Sequence, residues 1–335
     1  MIGFIGRRIL QSIPTLILIS LLLFFGMQAV PGGPLSAFAF RPGMSNAARQ
    51  AIVHQWGLDQ PVYIQYVQWV KSMVTGNWQF SFFMHRSVRE VIFQRLPATA
   101  ILMVTAYVIQ QLIALPAGII AALRRYSFFD QAVTFFSYVG YSMPTFWLGL
   151  MLLLIFAVMI PILPVAGIID IRAAGAPFLT ADYNAWFGQH PIAGILDILS
   201  HIVLPATTIA IVGIAGDSRF MRSSMLDAIH QDYVRTARAK GLSERVVVLK
   251  HALRNALLPV VTNIGIELPL LFSGAVVTEA IFSWPGMGQL FFQALEAFDY
   301  PLLMGILSVS AVLIILFNLL ADIAYAYIDP RISYA

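Results

Sequence analysis

Long stretches of this chain, such as Leu16–Phe25 and Ile314–Leu320, are almost continuously apolar. A helix of about 20 apolar residues crosses a hydrocarbon layer about 30 Å thick. The strands of a membrane β-barrel would instead alternate apolar and polar residues over about 10 positions, and that alternation is missing here. The pattern therefore predicts an all-α integral membrane protein.

Composition supports a protein whose main partner is the lipid bilayer. Apolar residues make up 59% of the chain and charged residues 11%, whereas soluble domains have about half and about a quarter. The absence of cysteine excludes disulfides, thiolate metal sites and a catalytic thiol. The net charge is +4, and the basic residues lie beside the apolar stretches rather than in patches interleaved with aromatic residues. We therefore expect no nucleic-acid partner.

The sequence predicts about six transmembrane helices. They fall near Ile9–Val30, Ala98–Ala122, Val133–Ile160, Ile198–Gly216, Leu258–Phe282 and Leu302–Ile328. The first resembles a signal peptide but its apolar core exceeds the usual length of about 7–15 residues, so we interpret it as a retained helix. The predicted organisation is a tail and first span over 1–30, an extracytoplasmic cap over 31–97, and a core over 98–335 that includes a cytoplasmic segment at 217–257.

Basic residues predict the orientation. Arg7 and Arg8, Arg124 and Arg125, a cluster at 219–254, and Arg331 all fall on one side of the predicted spans. Because arginine and lysine are enriched in cytoplasmic loops, this side is predicted to be cytoplasmic, with both termini inside. The 31–97 segment on the other side is interpreted as a small folded cap, and a loosely ordered loop is the alternative.

The cytoplasmic stretch Asp217–Pro259 carries the most distinctive pattern. Met221, Met225, Ile229 and Tyr233 recur every four residues, which predicts that they share one face of a helix continuing the fourth span. A short helix rich in alanine and arginine should follow and end at a left-handed glycine. It could dock into a partner's groove, or it could be a helical hairpin whose arginines only follow the positive-inside rule.

This stretch resembles the coupling-helix signature of ABC importer permeases of the dipeptide, oligopeptide and nickel branch, in which a tyrosine precedes Arg-Thr-Ala-Arg-Ala-Lys-Gly. The residues that the resemblance assigns to ATPase coupling are Tyr233, Arg235, Thr236, Ala237, Arg238, Ala239, Lys240 and Gly241. Further matches are Ile5–Arg8, Gly57–Pro61, Arg95–Thr99, Tyr141–Pro144, Phe146–Trp147, Glu279 and Ile281–Gly286. The stretch Gly76–Gln79 departs from the usual Gly-Asp-Leu-Gly. The implied fold is that of a type I ABC importer permease.

The resemblance implies a set of partners: a second homologous permease subunit, two ABC ATPase subunits that hold ATP and Mg, and an extracytoplasmic substrate-binding protein. The chain has no Gly-x-x-x-x-Gly-Lys-Ser/Thr phosphate loop. We therefore expect a transport subunit without an ATPase site or cofactor of its own, in a bacterial or archaeal inner membrane. Dipeptides and oligopeptides are the expected cargo, and nickel chelates, glutathione and opines stay open.

Two polar residues of the fifth predicted span are candidates for the translocation path. Glu267 is costly inside a membrane unless it is neutral, paired or facing water. With Asn263 one turn earlier it could meet the positive amino end of a peptide, or it could be a protonated acid bonded to a neighbouring helix.

The sequence argues against two other functional classes. In an ion-coupled secondary transporter Glu267 would be the coupling carboxylate, but the sequence has no inverted repeat. A membrane enzyme would need several acids or histidines at matching depth, and His201, His230 and His251 are scattered.

Overall fold

The computed structural model describes residues 2–29, 50, 53–54, 57–272 and 276–328, with side-chain surroundings at 6–263 and 276–323 of those ranges. The described residues form helices and a single β-bridge between Phe80 and Ser87. In chain order the helices are α1 (Ile2–Gln28), α2 (Val62–Thr75), α3 (Val88–Leu123), α4 (Phe128–Ser142), α5 (Thr145–Leu153), α6 (Ile171–Ala174), α7 (Ala181–Gln189), α8 (Pro191–Ile229), α9 (Asp232–Ala239), α10 (Glu244–Val246), α11 (Leu253–Phe272), α12 (Val276–Ile281), α13 (Met287–Glu296) and α14 (Tyr300–Ile328). Leu154–Met159 and Val247–Ala252 are π-helical.

Four described helices, α1, α3, α8 and α14, are long and apolar enough to cross a membrane, and the bent pair α4 and α5 would make a fifth. This confirms the prediction of an all-α integral membrane protein. The predicted span Leu258–Phe282 falls on α11 and α12, and residues 273–275 between them lie outside the described residues.

The third predicted span, Val133–Ile160, is not one continuous helix. Helix α4 ends at Ser142, α5 begins at Thr145, and the two are bent by 100°. Met143 between them is extended, with φ −77° and ψ 127°. A residue before proline is disfavoured in the helical region by a clash with the proline ring, so Pro144 breaks the span rather than kinking it.

Helices α3 and α8 pack along each other as the central pair of the bundle. They contain 36 and 39 residues, or about 54 and 58 Å at about 1.5 Å per residue. A Cβ at Gly118 of α3 would lie 2.5 Å from the Ser218 carbonyl oxygen and 2.8 Å from the Met221 Cβ. Glycine at this crossing therefore lets the two backbones approach closely.

The second predicted span begins earlier than expected. The sequence placed its start near Ala98, after Pro97, but α3 begins at Val88 and includes that proline in its first third. Pro97 removes one hydrogen bond without ending the helix. Residues 88–97 are therefore an extension of α3 into the predicted cap.

The described part of the predicted cap is folded against α1. Tyr66 of α2 shares a 2.7 Å hydrogen bond with Ser20, and Gln28 donates to Gln65 at 2.9 Å. Phe24 of α1 is buried in contact with the rings of Tyr66 and Trp69. Residues 30–49, 51–52 and 55–56 of the chain lie outside the described residues.

Helix α14 contacts the predicted cap at its beginning and α1 near its other end. Asp299 is fully buried just before α14, where it accepts hydrogen bonds from the Ser81 hydroxyl at 2.5 Å and from the Phe83 and Leu302 amides at 2.9 and 3.2 Å. Near its other end, Asp322 pairs with Arg8 of α1 at 3.1 Å. Helices α1 and α14 therefore lie side by side and antiparallel.

Candidate functional site

Helix α9 is fixed to the bundle through one face. Val234 and Ala237 are three residues apart, which places them on the same side of a helix. Both are buried, and they pack in one apolar cluster with Met221 and Met225 of α8 and with Val247. The cluster seats α9 on the end of α8.

The other candidate coupling residues lie on the free side of α9 or at its end. Tyr233, Arg235, Thr236, Arg238, Ala239, Lys240 and Gly241 are all exposed. Arg235 is 3.5 Å from Asp232, but both side chains are almost fully solvated, and such a pair contributes little. Ala237 differs from the rest of the set because it is an anchor and faces the protein.

Tyr233 does not continue the α8 face that the four-residue spacing predicted. Helix α8 ends at Ile229, and Gln231 is extended with φ −74° and ψ 152° before α9 begins. The turn between the helices breaks the periodicity, and Tyr233 is 39% exposed while Met225 is fully buried. The prediction that Tyr233 shares their face is wrong.

Gly241 follows the end of α9 in the left-handed region, with φ 75°. Its amide donates to the Arg238 carbonyl oxygen at 2.9 Å. A Cβ at this glycine would meet no atom within 4 Å, so a larger side chain would fit. Glycine is favoured here because of the left-handed backbone conformation.

An ion pair bridges the turn after Gly241. The Arg238 guanidinium donates to both carboxylate oxygens of Glu244, at 2.7 and 3.2 Å. This side-chain hydrogen bond lowers the pKa of Glu244 and raises the pKa of Arg238. Because both groups are close to fully solvated, water and salt weaken the pair.

A second ion pair lies on α8 close to α9, and no sequence pattern predicted it. Arg222 contacts the carboxylate of Asp130, at the start of α4, through two nitrogen atoms at 2.5 and 2.9 Å. Asp130 is 3% exposed and also accepts from the Tyr126 amide at 2.9 Å. The pair connects the end of α8 to α4.

A polar network joins three helices deeper in the bundle. Asp217 of α8 is 5% exposed and accepts hydrogen bonds from Gln110 of α3 at 2.8 Å, from Gln111, and from Asn263 of α11 at 3.4 Å. Gln110 lies in the middle of the second predicted span. Asp217 is therefore deeper in the bundle than a cytoplasmic segment beginning at 217 implies.

Of the two predicted path residues, the structure places one. Asn263 belongs to the Asp217 network. Glu267 follows one turn later in the backbone of α11, but its side chain lies outside the described residues. Sequence reasoning missed Gln110, Gln111 and Asp217, although amides and an acid within apolar helical patterns are a signal of polar bundle contacts.

Two of the motifs that carried the family resemblance meet in one buried site. Glu279 is fully buried and accepts from the Thr99 hydroxyl, 180 residues away, at 2.9 Å, and from the amides of Gly288 and Gln289 at 2.7 and 3.0 Å. Trp284 donates its indole N–H to the Ala98 carbonyl at 2.8 Å. These contacts fasten the start of α13 to α3.

The candidate membrane-spanning helices, with a buried polar network between them and the short basic helix α9 packed at the end of α8, define a multi-pass membrane protein. The chain belongs to the family described as "binding-protein-dependent transport system inner membrane component", whose model matches residues 114–334. The family's N-terminal model matches residues 1–103. The chain is thus a permease component of such a system, in the inner membrane.

Full-length relatives are similar throughout. The chain is 41% identical over 335 residues to the oligopeptide transport system permease protein AppB of Bacillus subtilis, with all of both chains covered. It is 38% identical over 340 residues to the dipeptide transport system permease protein DppB of Escherichia coli K12, covering all of this chain and 99% of the relative. It is 39% identical over 337 residues to the di/tripeptide transport system permease protein DppB of Pseudomonas aeruginosa, with the same coverage.

Proposed function

We propose that this chain forms half of the translocation pathway of an ATP-driven importer of dipeptides or oligopeptides, and that α9 couples it to a separate ATPase subunit. The observation that carries the coupling role is the two-sided character of α9. Val234 and Ala237 fix one face of α9 to the bundle. Tyr233 and Arg235 are exposed on the other face, where a partner could bind. The printed names of the relatives support peptides as cargo.

The proposed assembly contains a second homologous permease, two ATPase subunits and an extracytoplasmic substrate-binding protein. The family description supports dependence on a binding protein. ATP and Mg would be held by the ATPase subunits, because the sequence of this chain has no phosphate-binding loop and is expected to bind no cofactor.

Force applied to the free face of α9 has a direct route into the bundle. The Val234 and Ala237 contacts pass it to Met221 and Met225 of α8. From α8 the Arg222–Asp130 pair reaches α4, and the Asp217 network reaches α3 and α11. A displacement of α9 would therefore tilt several helices together, which is what alternate opening of a central pathway requires.

We propose that both termini are cytoplasmic. The Arg8–Asp322 pair supports termini on the same side, because it joins the beginning of α1 to the end of α14. The basic residues of α9 and its neighbours support the assignment of that side to the cytoplasm of a bacterial or archaeal cell.

Asn263 and Glu267 are proposed to line the pathway. The hydrogen bond from Asn263 to Asp217 supports a polar surface inside the bundle at this depth. Membership of the binding-protein-dependent family favours ATP as the energy source over an ion gradient acting through Glu267. Nickel chelates, glutathione and opines are the alternative cargoes for the same machinery.

The test is uptake of a labelled tripeptide by proteoliposomes that contain this chain with its partner permease, ATPase subunits and binding protein. The variant Tyr233→Ala with Arg235→Glu changes only the free face of α9. We expect it to assemble and to lose both ATP-dependent uptake and peptide-stimulated ATPase activity. Lys71→Glu, an exposed charge reversal on α2, is the matched control and should retain both.

Two results would contradict the proposal. Equal uptake by the native complex and the α9 variant would remove the coupling role from α9. Uptake that continues without ATP and follows an ion gradient would assign the chain to secondary transport.

A further inference from the structure

Arg219 lies on α8 between the buried Asp217 network and the Arg222–Asp130 pair. Its neighbour Ser218 packs against Gly118, which is inside the second predicted span. Arg219 is therefore at membrane depth and not in the cytoplasmic cluster at 219–254 to which the sequence pattern assigned it. Within the part of the chain that the structure describes, Arg219 forms no ion pair, in contrast to Arg222 one turn later. Its Nε donates to the Ala215 carbonyl oxygen at 3.2 Å.

Two exposed tyrosines of α4 hold the guanidinium. Its central carbon is 4.9 Å from the ring centre of Tyr141 and 5.2 Å from that of Tyr138. The rings are 64% and 59% exposed, so neither is part of the packed interior. Stacking on aromatic rings orients a guanidinium but uses none of its N–H donors.

Tyr138 also lines an open groove at the break between α4 and α5. The groove has a volume of about 590 Å³, and its walls include Ser142, Met143, Pro144, Phe146 and Trp147. Phe146 and Trp147 are 53% and 44% exposed. The 100° bend at Pro144 thus opens an aromatic surface beside a cation.

An arginine at membrane depth is costly unless it meets a counter-charge or water. The fork of a guanidinium matches a carboxylate through two parallel hydrogen bonds. A linear peptide carries one carboxylate at its C-terminus whatever its sequence, and its last side chains would contact an aromatic groove. The chemistry of this surface therefore complements the C-terminal end of a peptide.

We propose that Arg219, oriented by Tyr138 and Tyr141, binds the terminal carboxylate of a peptide in passage, with the groove at Phe146 and Trp147 receiving the adjacent side chain. This inference rests on the proposed function and adds to it a recognition element within this chain. It requires that the permease itself, and not only the protein that delivers the substrate, distinguishes a free C-terminus.

The experiment compares ATP-dependent uptake of a labelled tripeptide with that of its C-terminal amide in the complete reconstituted complex. The variant is Arg219→Gln, and the control is Arg124→Gln, which removes an exposed charge elsewhere in the chain. The delivering protein is the same throughout, so any preference that it imposes cancels when complexes are compared. We expect Arg219→Gln to lower the acid-to-amide uptake ratio by about tenfold, the size expected for a lost charge-assisted contact, and Arg124→Gln to leave it unchanged.

A second measurement uses the native complex and so does not depend on the variant folding. A tripeptide with a photoreactive side chain at its last residue should label the 138–147 segment when its C-terminus is free, and label it much less as the amide.

An unchanged uptake ratio in Arg219→Gln, or equal labelling by acid and amide, would overturn the inference while leaving the proposed function intact. An equal loss of acid and amide uptake that is reversed by changing the anionic lipid content would assign Arg219 to a lipid phosphate. Absence of ATP-dependent peptide uptake by the native complex would overturn the proposed function itself, and the inference with it.

Discussion

Arg222 and Asp130 are 92 residues apart in the chain and form a two-point ion pair between two helices, with Nε to Oδ1 at 2.5 Å and Nη2 to Oδ2 at 2.9 Å. The carboxylate is almost completely buried and the guanidinium side chain is 26% exposed. Because the pair joins α4 to α8 close to the seat of α9, it contributes to stability and to the proposed transmission of force.

Removing the cation from this pair should destabilise the protein. Arg222→Gln leaves a buried carboxylate without its partner, and we expect a loss of about 3 kcal/mol, at the lower end for buried pairs because Arg222 is partly solvated. Thermal unfolding of the purified complex measures the change. Arg222→Gln with Asp130→Asn should recover part of the loss, and a double variant as unstable as the single one would contradict the pair's role.

The anchoring of α9 can be tested at Val234. Val234→Asp places a charge in the apolar cluster with Met221 and Met225 and should detach α9 from α8, because a buried unpaired charge is strongly unfavourable. We expect normal membrane insertion with uptake reduced at least about tenfold. The same substitution at exposed Val246 is the control, and equal transport by the two variants would show that the cluster does not position α9.

The left-handed backbone at Gly241 predicts an order of substitutions. Asparagine tolerates this conformation, alanine costs about 1–2 kcal/mol there, and proline cannot adopt the observed φ of 75°. Coupled ATPase activity should therefore fall in the order glycine, asparagine, alanine and proline. Since open space surrounds this position, an effect that followed side-chain volume instead would disprove the backbone explanation.

At Gly286, neighbouring atoms leave no room for a side chain. A Cβ at Gly286 would collide with both carboxylate oxygens of Glu279 and with the Thr99 hydroxyl. Gly286→Ala should therefore lower the free energy of unfolding by about 1–3 kcal/mol, as overpacking does. Gly188→Ala in α7, where a Cβ meets nothing within 4 Å, should be neutral or slightly stabilising. Equal thermal stability of the two variants would contradict this.

The apolar runs were enough to predict the helical membrane bundle, because the length of such a run is set by the thickness of the bilayer. They could not locate the beginnings of α3 and α8, since both helices start before the apolar runs. The break before Pro144 could not be distinguished from a mild kink. A proline can either kink a helix or end it, and the packing around it determines which occurs.

The candidate site was only partly predictable for a related reason. The spacing of Val234 and Ala237 is local and is sufficient to define a face of α9. The partners Asp217 and Gln110 are 107 residues apart, and only the packing of α3 on α8 brings them together. The four-residue recurrence that ended at Tyr233 failed because a turn at Gln231 interrupts the helix, and apolar spacing alone does not register a turn.

The pairing of α1 with α14 determines an order of events during synthesis. Helix α1 leaves the ribosome well before α14, its main helical neighbour in the part of the chain that the structure describes. Throughout elongation α1 must therefore remain in the bilayer without that neighbour, and its almost uncharged sequence permits this. The Arg8–Asp322 contact can form only after α14 has been made, so a chain truncated before α14 would insert α1 and leave it without this neighbour.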